Sequence, residues 1–314
     1  MSGVIRRRRF LQIPGVAVML AALIVLFAIA APNFATFQNF ENVLVQSSVL
    51  LLLALPMTFV IMTEGIDISV GAVLTLGTLS VAMTVLATGS IVLALAAGLA
   101  TGLCFGLLNG VLVTMLALPP FVTTLGTFSI AQGLALALSG GQSVVGMPPA
   151  LLAIYSGSLL GIPLPLVFVA IAYAILHVTL YHTAFGSYIF ALGGNREALA
   201  LAGVSQRRML IAVYALNGLM AGCGALLMTA RLNAGHPTAG IGLEFDAIAA
   251  VAVGGTSFER GNGWLFGTLL GVLAIGILRN GMNLLALPSS LEVTCIGLLV
   301  ISAFLIEAVK GESP

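Results

Sequence analysis

Charge is scarce in this chain: charged residues make up 7% of its 314 positions, 11 Lys plus Arg against 10 Asp plus Glu. A soluble domain carries about 25%, so this inventory does not cover a water-facing surface. Cysteine is scarce too. Cys104, Cys223 and Cys295 stand far apart inside apolar runs, which excludes a disulfide framework and a metal cluster and reads as buried thiols. The three histidines, His177, His182 and His236, lack metal-ligand spacing, so no zinc site follows. There is no His-Glu-x-x-His, no Walker-type glycine loop with Lys and no Gly-x-Ser-x-Gly elbow. No catalytic residue and no cofactor is read, and a net charge of +1 gives no reason to expect nucleic acid.

What the chain has is apolar length: 60% of it is hydrophobic. Most of its surface must therefore face lipid, where only helices or closed barrels satisfy the backbone. Barrel strands alternate apolar and polar residues, whereas these runs are apolar throughout and close to helix-spanning length. The expected fold is all-α: a polytopic membrane protein of about ten transmembrane helices, a single domain over 1–314.

The segments are drawn at about Leu11–Ala31, Val43–Met62 with a kink at Pro56, Val70–Ala87, a fourth ending near Leu116, Phe121–Leu138, Leu164–Tyr181, Leu210–Thr229, a short or broken one from Glu244, one from Trp264 to Asn280-Gly281, and Glu292–Ala308. Arg6–Arg9 before the first run also fit a signal peptide, but the run is longer than a signal core, so a retained helix is favoured. In the fourth segment Gly98, Gly102, Gly106 and Gly110 recur every four residues, laying bare backbone along one face where a neighbouring helix can approach.

Counting crossings from Arg6–Arg9 inside puts Arg196, Arg207, Arg208, Arg260 and Lys310 on the same side, with both termini. Only Arg231 and Arg279 fall outside, the skew that the positive-inside rule expects.

Charge gathers once, in a stretch at about 183–209. Gly193-Gly194-Asn195 precedes Arg196-Glu197 and an Ala-Leu run. Asn caps free N–H groups, Glu suits a helix N-terminus, and Gly203 is free to take positive φ and stop the helix. A short helix outside the apolar slab is expected there. The competing reading is a solvated loop that only fixes topology.

Two parts look alike. Gly65-Ile66-Asp67, then Leu108-Asn109-Gly110, then Ala117-Leu118-Pro119 parallels Glu244-Phe245-Asp246, then Asn280-Gly281, then Ala286-Leu287-Pro288. The crossing count inverts the second unit. Inverted units of about 43–140 and 210–309 would be a transporter signature, with the pathway at their interface. Chance likeness between Gly-rich helices is the alternative.

An acid at mid-membrane costs roughly 2.5–3.5 kcal/mol. Asp67 and Asp246 are therefore read as helix caps before pathway residues, and Glu64 and Glu244 as interfacial. Asn109 and Asn280 are read as helix–helix hydrogen-bond partners before pathway residues. Arg279 either pairs with Glu292 or reaches the outer surface.

The segments GIDISVGA, LLNGVLV with PPFVTTLGT, ALGGNREALALAGV and EFDAIAAVAVGGTS, in this order, resemble the sugar-type permeases of bacterial ATP-binding cassette importers, of the ribose, xylose and arabinose kind. The resemblance implies a ten-helix inner-membrane protein with cytoplasmic ends. It implies a second permease subunit, the same or paralogous, a cytoplasmic ATPase and a periplasmic sugar-binding protein. It also implies that Asn195, Arg196, Glu197, Ala198, Gly203 and Val204 form the ATPase-coupling loop. Two places depart from the family pattern: Phe258-Glu259-Arg260-Gly261 where glycines are usual, and Glu64 where a small residue is usual. Other cargo for the same machine, a branched-chain amino acid or a nucleoside, is the alternative, and a stand-alone proton-driven carrier the more distant one.

Overall fold

A computed structural model describes residues 15–257 and 261–311, with side chains outside the description at 198, 300 and 303–311. The Arg6–Arg9 cluster, the departure at Phe258, Glu259 and Arg260, and the Lys310 side chain lie outside the described residues.

Thirteen helices occur among the described residues: α1 Gly15–Ala30, α2 Phe37–Met62, α3 Val70–Thr88, α4 Ile91–Met115, α5 Pro120–Ser139, α6 Pro149–Ser156, α7 Leu164–His182, α8 Ala184–Gly194, α9 Arg196–Leu201, α10 Gln206–Leu232, α11 Leu243–Val253, α12 Leu265–Leu284 and α13 Ser289–Gly311. Seven of them, α2, α3, α4, α5, α7, α10 and α12, are long and apolar enough to cross a membrane. Four two-residue strands, β1 Val144–Val145, β2 Ser158–Leu159, β3 Ile162–Pro163 and β4 Ala234–Gly235, form two antiparallel ladders, β1 with β4 and β2 with β3.

Local chemistry sets the helix ends. Thr36, Ser90, Thr183 and Ser205 each accept an N–H of the first turn on their side-chain oxygen. Gly89 at φ 66° and Gly140 at φ 59° close α3 and α5 in the left-handed region. Two differences from the segment map follow from such signals. α2 begins at Phe37, six residues before the apolar run, because Thr36 supplies a cap. The stretch expected as a loop from 183 contains α8, because Thr183 caps it. Pro56 lies inside an uninterrupted α2.

The core is built on α2, α3 and α10. Leu53, Leu55, Phe59, Leu74, Leu79, Tyr214 and Leu227 have 0% exposure. Against this core α4 lies on α10 through bare backbone. Added Cβ atoms at Gly102, Gly106, Gly218 or Gly222 would collide with main-chain atoms of the facing helix. α12 lies on α2, where Thr58 and Thr268 join hydroxyls at 2.8 Å in full burial. The Ala117-Leu118-Pro119 and Ala286-Leu287-Pro288 turns share a left-handed alanine, at φ 52° and 53°.

The connections gather at two ends. At one, the close of α2, the α8–α9 junction and the turn before α12 meet: Gly193 rests on the Met62 carbonyl and on Gly261, and Gly263 rests on the Met62 side chain. At the other, Asn39 of α2 and Asn280 of α12 exchange amide hydrogen bonds at 2.8 and 2.9 Å. Cys104, expected as a buried thiol, is exposed on the apolar face of α4, while Cys223 and Cys295 are half-buried.

Candidate functional site

The connection Thr63–Ser69 between α2 and α3 carries a buried polar network. Its Asp67 is 2% exposed. One carboxylate oxygen accepts the Ser69 N–H at 2.9 Å and the Ser69 hydroxyl at 2.6 Å. The other accepts Asn217 Nδ2 of α10 at 2.8 Å. Asn109 of α4 donates to Ser69 Oγ at 2.8 Å and accepts the Thr127 hydroxyl of α5 at 2.6 Å. Thr124 of α5 donates to the Ile66 carbonyl at 3.1 Å. Asp67, Ser69, Asn109, Thr127 and Asn217 thus tie α3, α4, α5 and α10 around one buried carboxylate. Three neutral donors on it answer the cost of taking a charge out of water.

The capping expectation is corrected for both acids. Asp67 accepts the N–H of Ser69, the residue before α3, and no N–H of the helix itself is capped by a side chain there. Asp246, in the first turn of α11, turns sideways to Arg279 of α12, with an Oδ2–Nη2 separation of 2.8 Å. Glu292 Oε1 lies 2.7 Å from Arg279 Nε, a charge contact angled away from a hydrogen bond. Arg279 therefore pairs with two acids, and the Glu292 alternative holds alongside one not foreseen. Glu244, expected at an interface, is 1% exposed. Its carboxylate accepts the Gly242 N–H at 3.1 Å and packs on Gly71, where a side chain would collide with it. Asn280 is the α12 half of the Asn39 pair, an interhelical contact as expected.

The second cluster sits at the α8–α9 junction. Asn195 ends α8 by donating its N–H to the Ala191 carbonyl. Arg196 reaches the other side of the junction: Nη2 lies 2.8 Å from Glu64 Oε2 and donates to the Thr63 carbonyl at 3.1 Å. Glu197 stands exposed in the first turn of α9, and Ala198 is helical. Gly203 takes φ 76° and donates to the Ala200 carbonyl, while the Val204 N–H returns to the Leu199 carbonyl. Gln206 Nε2 donates to the Arg196 carbonyl at 2.8 Å, closing the loop on itself. Among the described side chains of α9, Leu199, 3% exposed, is the one buried in the core. The result is a short helix whose outer side shows Arg196 and Glu197 at its start and Leu201, 91% exposed, at its end.

The sequence matches a known family. The family model described as the permease component of the branched-chain amino acid transport system matches residues 39–304. The chain belongs to this permease family. It is a multi-pass membrane protein whose relatives work in transport. The permease is 38% identical over 291 residues to the ribose import permease protein RbsC of Bacillus subtilis, covering 92% of this chain and 90% of that one. It is 38% identical to the RbsC of Escherichia coli K12, covering 93% of each. It is 35% identical to the D-allose transport system permease protein AlsC of Escherichia coli K12, covering 92% of this chain and 89% of that one. No solved structure matches.

Of the residues singled out in the permease, Asp67 and Asn109 come together in one network, while Glu244, Asp246 and Asn280 lie at the end where α11 begins and α12 closes. Ser69, Thr127 and Asn217 were not anticipated. Asn217, at 0% exposure inside an apolar helix, carries the one available signal, since a buried amide needs a partner. Nothing in the sequence names Asp67 as that partner.

Proposed function

We propose that this permease is the membrane subunit of a binding-protein-dependent ATP-binding cassette importer that carries a ribose-type monosaccharide across the bacterial inner membrane. The observation that carries the proposal is 38% identity, over more than nine-tenths of the chain, to ribose import permeases of two distant bacteria. ATP hydrolysis would belong to a separate cytoplasmic subunit and sugar capture to a periplasmic protein. A second permease, the same or paralogous, would complete the pathway.

In this reading Asn195–Val204 is the foothold of the ATPase, and α9 is the part it moves. Work passes only if ATP favours one arrangement of the bundle over the other. Arg196 links the foothold to the close of α2, and α10, which begins two residues after Val204, leads to Asn217 and Asp67. The termini would lie on the cytoplasmic side, with the α8–α9 end. The twin Ala-Leu-Pro turns, and the packing of α4 on α10 beside that of α12 on α2, support units of about 43–140 and 210–309 as an inverted repeat.

The family description favours a second reading, branched-chain amino acid cargo. Vesicles holding the chain with its ATPase and binding protein distinguish the two: ATP-dependent accumulation of ribose is expected, and accumulation of leucine alone would replace it. Concentration of solute by the chain without any ATPase would overturn both readings.

A further inference from the structure

Arg231 and Arg279 are the two cations that the crossing count leaves on the far side from the rest. The structure brings both to one cavity of about 90 Å³ between α2, α10, α11 and α12. Gln46 and Ser47 complete its polar wall, and Leu50, Met228 and Ile275 its apolar one. At about 10–15 Å³ for each water position, that is room for on the order of six waters, enough to admit one hydroxylated edge of a small ring from the open side. One turn along α10 from Met228, Gly224 packs on Leu52, Leu53 and Leu74.

The two arginines are not equivalent. Arg279 is engaged by Asp246 and Glu292. Arg231 makes a single 3.4 Å hydrogen bond, to the Gln46 carbonyl, and pairs with no acid among the described residues. A guanidinium carries five donors, so Arg231 retains most of its capacity at the mouth of the cavity. The charges of Arg231, Arg279, Asp246 and Glu292 sum to zero, so the cluster offers an anion no net attraction. It offers donors and acceptors at short range, beside an apolar wall. A hydroxyl both donates and accepts, and a sugar ring presents several around apolar C–H faces.

We propose that this cavity is a subsite for a neutral polyhydroxylated solute at the Arg279 end of the bundle, contacted by Arg231, Gln46 and Ser47. The proposal rests on the sugar-transport reading above and names where that path begins. It lies where α2 and α10, each the leading helix of one repeat-like unit, come together, the position expected of a pathway between such units.

The test uses the full chain in vesicles with its ATPase and binding protein. Cys104, Cys223 and Cys295 are replaced by Ser, and Gln46→Cys or Ser47→Cys is treated with a small charged thiosulfonate. Modification is expected at one or both positions, slowed at least threefold by ribose and not by leucine. Equal rates with and without ribose, or no modification at either position, overturns the site. Protection by leucine instead overturns the ligand class. Arg231→Ala should abolish the ribose protection and lower uptake at saturating ribose at least tenfold, with Arg231→Lys recovering part. Unchanged protection and uptake in Arg231→Ala overturns its contact role. Failure of the parent chain to accumulate ribose is a separate result, which strikes the transport reading rather than the subsite.

Discussion

Asn217 of α10 donates its Nδ2 to Asp67 Oδ2 at 2.8 Å, joining two residues 150 positions apart in the chain. It supplies that oxygen's hydrogen bond and attaches the α2–α3 connection to the helix that follows the 183–205 stretch.

Replacing Asn217 with Ala leaves a buried carboxylate oxygen short of a donor, at a cost of about 1–3 kcal/mol. The unfolding midpoint in detergent should fall. Asp67→Asn in the same chain removes the stranded charge, so the double variant should be more stable than the two single losses added together. Strict additivity would mean that the two side chains do not interact.

The glycine seam between α4 and α10 predicts a sharp steric response. Gly102→Leu drives a side chain into the Gly218 carbonyl, and folded, monodisperse protein should be lost. Gly126→Ala on α5 meets nothing within 4 Å and should purify at parental yield. Equal yields for the two variants would contradict the seam.

Arg196 and Glu64 form an ion pair at side-chain exposures of 46% and 42%. Pairs this exposed contribute about 0–1 kcal/mol, so Arg196→Ala should melt close to the parent. Uptake should nevertheless fall several-fold, because the link between α9 and the close of α2 is cut. A large loss of stability with normal uptake per folded molecule would assign Arg196 a purely structural task.

Gly203 holds φ 76°, a region that a β-branched residue enters only under strain. Gly203→Val should insert normally, lose transport and lose sugar-stimulated ATP hydrolysis. Normal uptake in this variant would remove the main support for the docking assignment.

Arg279 stands between Asp246 and Glu292. Arg279→Gln leaves two acids facing each other without a cation, and the loss should be about 3 kcal/mol, the lower end of the range for breaking a buried pair, because the arginine is partly exposed. Adding Asp246→Asn should restore much of the unfolding midpoint. No restoration would mean that the arginine acts through packing.

The sequence made the apolar helices legible because lipid permits few alternatives, and the α4 seam legible because four glycines share one period. The α9 segment was readable from Asn195, Glu197 and Gly203, whose preferences are local. The acids were misread for the opposite reason. Asp67 and Asp246 each sit near a helix start, where capping is the local expectation, and Glu244 was placed at an interface. The partners of Asp67 and Asp246, Asn217 and Arg279, are set by how distant helices pack, as is the seat of Glu244 on Gly71. Glu64 was visible as a departure from the family pattern, but its meaning required Arg196, 132 residues later, to be seen beside it.

Where two rods meet glycine on glycine, main chain lies on main chain with no side-chain cushion between them to deform. Backbone contact from Gly98–Gly222 to Gly106–Tyr214 leaves α4 and α10 little room to slide past one another. Whatever bends when the transporter works has to bend elsewhere.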